Sequence, residues 1–401
     1  MKSKSFYNLF IILLGLSSSN ILAVEFSGNI TLETKLFTES AAFTGQHGNN
    51  SSISFQPEFY HEYPDGSSFT FVPFVRADEN DAERSHGDIR ELTWVSIGEN
   101  SEWRIGIRKV FWGVTESQHL VDIINQTDTV ESVDGEEKLG QPMVNFSYIT
   151  DYGSYDFFVM PYFRERTFPG IEGRLRSQPY VDTDTVFYES SDKEKHIDYA
   201  LRWAHSIKEW DVGLSYFTGT SRDPRFVSGT DSAGNTVLNP FYDTINQWGI
   251  DLQATFNSWL WKLEAIYRSG LNVTNNDEYA AMTAGIEYTF FSAVGEATDI
   301  GLIAEYLRDE RGNAATTPFQ KDLMLGLRFT LNDEQSTDAL IGVIKDLDND
   351  AVVYTVEANR RLTEHLKLSF EARKYSNISS NDSLFSYLKD DYMQFELAYF
   401  F

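Results

Sequence analysis

From residue 25 to the last residue, this chain alternates apolar and polar side chains with a period of two. The C-terminal run Tyr392–Phe401 shows it most plainly. Met393, Phe395, Leu397, Tyr399 and Phe401 share one face, and Gln394, Glu396 and Ala398 share the other. Successive side chains of an extended strand point to opposite faces, so this spacing is that of strand rather than helix. Leu366, Leu368, Phe370 and Ala372 repeat it against Lys367, Ser369, Glu371 and Arg373. Leu323, Leu325, Leu327 and Phe329 do so against Gly326, Arg328 and Thr330, and Trp259, Trp261, Leu263, Ala265 and Tyr267 against Lys262, Glu264 and Arg268.

One alternating strand fits any half-buried sheet, but a whole chain of them with no competing helical segment is more restrictive. Aromatic residues make up 15% of the 401 positions, yet the formal net charge is −27. A barrel in lipid reconciles the two, because rings can face outward while charges line the lumen and loops. Trp94, Trp103, Trp203, Trp210, Trp248 and Trp259 fall near strand ends, where interfacial girdles form.

Loop spacing tests this independently. Strands are expected to begin near residues 24, 51, 68, 87, 102, 141, 155, 196 and 210, then near 245, 259, 279, 299, 320, 338, 350, 365 and 390. That is about 18 strands, a size at which a lumen can hold water. Short turns such as Pro64-Asp-Gly-Ser67 and Gly98-Glu-Asn-Ser101 alternate with long connections such as 38–50, 112–140, 165–195 and 220–244. The expected fold is therefore all-β, a single transmembrane antiparallel β-barrel with long outer loops and short periplasmic turns. Lys345-Asp-Leu-Asp-Asn-Asp350 is a short turn where a long loop is due, which keeps 16 strands open as the alternative count.

Residues 1–23 read as a secretory signal peptide. Lys2 and Lys4 precede the apolar run Phe10–Leu16, and Ile21-Leu-Ala23 ends in a small residue suited to cleavage. The apolar run is too short to cross a bilayer as a helix. Residues 24–401 then form the barrel, with 112–140 as the expected lumen constriction. Strong acidity argues against nucleic acid as a partner. The absence of cysteine fits passage through an oxidising compartment.

These features together resemble the bacterial outer-membrane porins. In that family the last strand ends in Phe and is read by the barrel-assembly machinery, and Met393, Phe395, Leu397, Tyr399 and Phe401 match that end position by position. The resemblance implies the outer membrane of a Gram-negative bacterium, contact with outer-membrane lipid and lipopolysaccharide, and small hydrophilic solutes as cargo. It also implies a third outer loop folded into the lumen. Arg108-Lys-Val-Phe-Trp-Gly113 and Ile123-Ile-Asn-Gln-Thr-Asp128 resemble, more distantly, a run in an uncharacterised family of large outer-membrane barrels.

Residues 112–140 occupy the third outer position. Thr115-Glu-Ser-Gln118 has capping-box spacing, and Leu120, Val121 and Ile124 would share one helical face, which predicts a short helix over roughly 116–125. Those apolar residues gain nothing in bulk water, so the loop is expected to pack against the inner wall. It carries Glu116, Asp122, Asp128, Glu131, Asp134, Glu136 and Glu137 against Lys138 alone. The polar strand faces present Arg76, Arg104, Arg108, Arg164, Arg202, Arg268, Arg328 and Arg373. Acids opposite arginines would set a transverse field across a constriction, and Glu116, Asp122, Asp128 and Glu131 are its expected acidic members. The bland alternative is a solvated surface loop, with the arginines paired to lumen glutamates such as Glu264, Glu287, Glu357 and Glu371.

Other chemistry is weakly signalled. Asp346, Asp348 and Asp350 have calcium-loop spacing, but Ala351 replaces the required Gly, so a hairpin turn is expected. The seven histidines are dispersed, and no Gly-x-Ser-x-Gly elbow occurs. No metal, cofactor or catalytic residue is expected. The reading is a porin-like channel for passive diffusion of small hydrophilic solutes or ions, filtered by the acidic loop, and not an enzyme. An outer-membrane barrel hydrolase, or a barrel sheathing or binding a partner protein, are the alternatives. Oligomeric state and solute are not legible.

Overall fold

The computed structural model describes residues 24–271, 278–295 and 297–401. The expected export signal, 1–23, lies outside the described residues. In chain order the strands are β1 (Glu25–Phe37), β2 (Asn49–Glu62), β3 (Ser68–Asp78), β4 (Gly87–Ile97), β5 (Ser101–Arg108), β6 (Gln141–Thr150) and β7 (Gly153–Met160). Next come β8 (Phe187–Tyr188), β9 (Asp198–Ile207), β10 (Trp210–Thr220), β11 (Arg225–Thr230), β12 (Thr236–Tyr242), β13 (Thr244–Phe256) and β14 (Trp259–Ser269). The rest are β15 (Glu278–Val294), β16 (Thr298–Asp309), β17 (Lys321–Thr330), β18 (Asp338–Asp346), β19 (Val352–Arg361), β20 (Leu366–Ser376) and β21 (Tyr392–Phe400).

Eighteen of these form one sheet in which each strand pairs antiparallel with its neighbours. The sheet closes where β1 pairs with β21, Leu32 opposite Leu397 and Thr34 opposite Phe395. Closure leaves no strand edge unpaired. The other three, β8, β11 and β12, form a small separate sheet built from the connections 161–197 and 221–243. Every expected barrel strand begins within two residues of its observed start. The count is 18, not 16. Strands β18 and β19 pair directly across the short turn, Lys345 opposite Val352, and Asp346 accepts hydrogen bonds from the backbone N–H of Asp348 and Asn349. That side-chain-closed turn makes a long loop unnecessary there.

The alternation resolves into an apolar outside and a polar inside. On β17, Leu323, Leu325 and Leu327 are exposed on the outer surface, while Asp322, Met324 and Gly326 are buried inward. Exposed rings and aliphatic chains recur around the whole circumference, including Trp103, Trp210, Trp259, Trp261, Phe395 and Tyr399. A continuous apolar belt of this kind is costly in water, at about 25 cal/mol per Å², and hydrocarbon removes the cost. Among the described residues no helix is long and apolar enough to cross a membrane.

The two ends of the barrel differ. The start of β1, the end of β21 and most of the short turns lie at one end, and the long connections lie at the other with the short β18–β19 turn. At the turn end Trp94, Trp103, Trp203, Trp210 and Trp259 gather on β4, β5, β9, β10 and β14. The ring of Phe401 packs beside those of Phe26 and Phe55, with centroids at 5.3 and 6.2 Å.

Gly106 on β5 is required by its surroundings. Its φ is +138°, and a Cβ there would stand 1.9 Å from the Leu92 carbonyl oxygen on β4. Gly106→Ala should therefore destabilise the barrel by about 1–3 kcal/mol. The conversion temperature of the folded band on detergent gels measures this. Gly48→Ala, where a Cβ meets nothing within 4 Å, should leave that temperature unchanged.

Candidate functional site

Connection 109–140 leaves β5 and returns to β6, but its contacts lie elsewhere. The backbone N–H of Val114 and that of Thr115 donate to Glu264 Oε1 at 2.7 and 3.0 Å, and the Val121 N–H donates to Glu264 Oε2 at 3.1 Å. The N–H groups of Glu116 and Ser117 donate to Glu305 at 2.8 Å each. Glu264 lies on β14 and Glu305 on β16, five and seven positions round the barrel from β6. The connection thus spans the lumen. Both glutamates are almost fully buried, and a buried carboxylate is tolerable only when several donors replace its water.

These bonds replace the helix expected over 116–125. That segment contains no helix: the Thr115 hydroxyl donates to Glu264 instead of capping, and the Val121 N–H donates to Glu264 instead of a carbonyl four residues back. The apolar residues still pack. Val121, Ile123 and Ile124 are buried against Met143, Phe158, Phe217, Ile245 and Ile266 of the inner wall.

The loop acids are mostly paired. Asp128 is fully buried with Arg90 Nη1 at 2.6 Å and the Thr167 hydroxyl at 2.7 Å. Glu131 binds Arg76 on β3 at 2.7 Å, and Asp122 is buried beside Lys138 at 3.2 Å. Burial pushes the Asp122 carboxyl up, with Lys138 opposing the shift. Glu116 reaches the far wall, 2.6 Å from Arg328 and 3.6 Å from Lys262. Asp134 reaches Arg373 on β20 at 2.7 Å. Of the four acids named from sequence, Glu116 alone faces two basic groups of the opposite wall.

The arginines differ in their partners. Arg104 and Arg108 stand on β5 and share Asn145 Oδ1, Arg104 also pairing with Glu102 at 2.5 Å. Arg202 pairs with Asp251 at 2.6 Å, and Arg268 with Asp223 at 2.9 Å. Arg328 bridges Glu116 and Glu287, and Arg373 binds Asp134 and Glu371. Arg164 is not on the strand wall. Strand β7 ends at Met160, Pro161 supplies no ladder N–H, and Arg164 lies in the following connection with Asp88 at 2.8 Å.

His119 ties the loop to itself and to the wall, with Nε2 3.0 Å from Glu136 and Nδ1 3.7 Å from Glu264. Burial alone would lower its pKa. The Glu136 bond and the Glu264 charge outweigh that and hold it at about 10, so the ring is cationic at neutral pH.

Connection 161–197 crosses above. Arg174 pairs with Asp390 at 2.5 Å and covers the Phe37 ring at 4.1 Å, and Gln46 donates to the Gly173 carbonyl at 2.7 Å. Between this strap and the 109–140 loop lies a chamber of about 720 Å³. Residues not picked out from sequence hold this arrangement. Glu305, Arg90, Arg222 and Arg311 each occupy an inward or loop position, and Glu264 anchors backbone rather than pairing an arginine. Glu305 and Arg90 gave only the signal of a polar residue on an alternating strand, and Arg222 and Arg311 lie in connections, outside that pattern. Among the described residues no cluster fit to hold a metal ion occurs.

No protein-family model matches the chain, and no curated protein does. Solved structures of Rhodopseudomonas blastica porin mutants align with most of the chain. One triple mutant aligns at 12% identity and a TM-score of 0.45, covering 94% of this chain and 100% of that one. A structure described by the asymmetric conductivity of engineered proteins aligns with the same values. The chain is similar to porins. At 12% identity and a TM-score of 0.45, that likeness carries no conclusion about this chain.

Two expectations concern the loop. Glu264→Gln removes the charge that four loop donors share, and should speed proteolysis of 109–140 in the folded barrel at least tenfold. For His119 the folded pKa lies above the ordinary value. Its contribution is therefore complete below about pH 6.5 and is lost as pH rises through about 10. Hydrogen exchange of the loop should be faster in His119→Gln than in the native protein between pH 6 and 9. The difference should vanish above pH 10.

Proposed function

We propose that this protein is an outer-membrane channel for passive diffusion of small hydrophilic solutes or ions, with loop 109–140 as its filter. The observation that carries the reading is a closed barrel whose outer surface is apolar, whose inner face is charged, and whose third long connection spans the lumen. A sheet closed on itself can sit in hydrocarbon with no backbone group unpaired, and its lumen is the polar path that remains. The long-loop end faces outward and the termini face the periplasm. The C-terminal face of Met393, Phe395, Leu397 and Tyr399, ending in Phe401, supports handling by the barrel-assembly machinery.

Pairing redistributes the selectivity expected from the acidic loop. Asp128 and Glu131 are held by Arg90 and Arg76, so they fasten the loop and contribute little net field to the path. Glu116 is paired with Arg328 as well, but its side chain is 22% exposed where those of Asp128 and Glu131 are nearly dry. Glu116 with Lys262 and Arg328 therefore carries the transverse field.

In planar bilayers the purified protein should give stable, ohmic conductance steps in potassium chloride. Silence from both the intact barrel and a form lacking residues 114–121 would remove the channel reading. Glu116→Gln should move the reversal potential under a salt gradient toward anion preference. Asp128→Asn should instead lower thermal stability, by about 1.5–3 kcal/mol for one buried charge-assisted bond, Arg90 keeping Asp88 at 3.1 Å.

A further inference from the structure

The chamber between the strap and the loop differs from the rest of the lumen in how its wall is built. At one end, on and above β14–β16, the guanidinium groups of Arg166, Arg268 and Arg311 share only two carboxylates, Asp223 and Asp309. Arg268 and Arg311 also flank the Tyr279 ring, at 5.7 and 3.7 Å from its centroid. This end carries excess positive charge.

At the other end, on β19 and β20, the balance reverses. Asp134, Glu357 and Glu371 lie 2.7, 3.9 and 2.7 Å from the single guanidinium of Arg373. The Lys35 ammonium stands behind them over the Tyr392 ring and offsets only part of the charge. The Glu357 side chain is 46% exposed and has the longest of the three contacts.

Between the two ends the inward face is apolar. Met324, Leu340, Ile344 and Val353 project from β17, β18 and β19, with Phe319 beside them. A water-filled conduit gains nothing from such a strip, whereas a bound solute with an apolar body does. From β14 to β19 is five strand spacings, about 24 Å along the curved wall. Side chains reach inward from both ends of that arc. The gap left suits an extended peptide of three or four residues, about 10–14 Å long, and the chamber volume of about 720 Å³ is in the range of small-molecule sites.

We propose that this chamber is a binding station for short zwitterionic peptides with apolar side chains. The peptide carboxylate lies toward Arg268 and Arg311, its ammonium toward Glu357, and its side chains on the Met324–Ile344 strip. This deepens the channel reading by naming a solute class, and it rests on that reading for its role in transport.

Titration calorimetry of the full barrel in detergent tests the binding with trileucine. Three relatives each lack one feature: triglycine the side chains, N-acetyl-trileucine the ammonium, and trileucine amide the carboxylate. Each should bind at least tenfold more weakly than trileucine. Arg268→Gln should weaken trileucine about tenfold and lose discrimination against the amide. Glu357→Gln should do the same for the acetylated peptide. Equal binding of triglycine, or of both capped peptides, would overturn the assignment. If either variant fails to fold, the four-peptide comparison on the native protein still decides. Salt conductance without trileucine binding would refute this inference alone, and binding without conductance would refute only the channel reading.

Discussion

Every backbone N–H and C=O in hydrocarbon needs a partner, and the pairing of β1 with β21 lets this chain supply them all from its own sheet. The rest follows from that closure. Once the sheet is a cylinder, the two faces of each strand become an apolar outer side and a polar lumen side, and period-two alternation becomes an inside and an outside. The charges are confined to the inner side, where they must find one another or find loop backbone.

Glu264 and Glu305 show how that confinement is used. Each is a nearly fully buried carboxylate on the far wall, and each takes backbone amides of a loop that leaves the barrel between β5 and β6. The amides need acceptors because the loop forms no helix, and the carboxylates need donors because they are dry. The two needs are met together. Val121, Ile123 and Ile124 then seal the junction by packing on the wall, so the crossing loop is fastened by polar bonds and by apolar burial. Removing either glutamate leaves several buried donors orphaned, which costs more than a lost surface bond.

The barrel was largely legible in the sequence. Alternation along single strands is local, and turn residues such as Asp65, which accepts from the Ser67 N–H, and Asp346 act within a few positions. Strand starts could therefore be placed closely. The loop was legible only in part. Apolar residues at 120, 121 and 124 signalled a buried segment, yet the same spacing predicted a helix that does not form. Capping-box chemistry is local, whereas the acceptors that displaced it come from residues 264 and 305. The partners of Asp128 and Glu131 were hidden for the same reason: Arg90 and Arg76 stand on β4 and β3, and they meet these acids only when the loop folds back against the wall.

The sequence by itself determined where strands begin, the face each side chain takes and most of the alternation of short and long connections, because a period of two and a turn are properties of neighbouring residues. The tertiary structure alone decided which acids are neutralised, which loop crosses which wall, and where a chamber with opposed charge and an apolar strip is left between two crossing segments. Those are distances between residues far apart in sequence, 38 positions for Asp128 and Arg90 and 212 for Glu116 and Arg328, and only the folded barrel brings such pairs within reach.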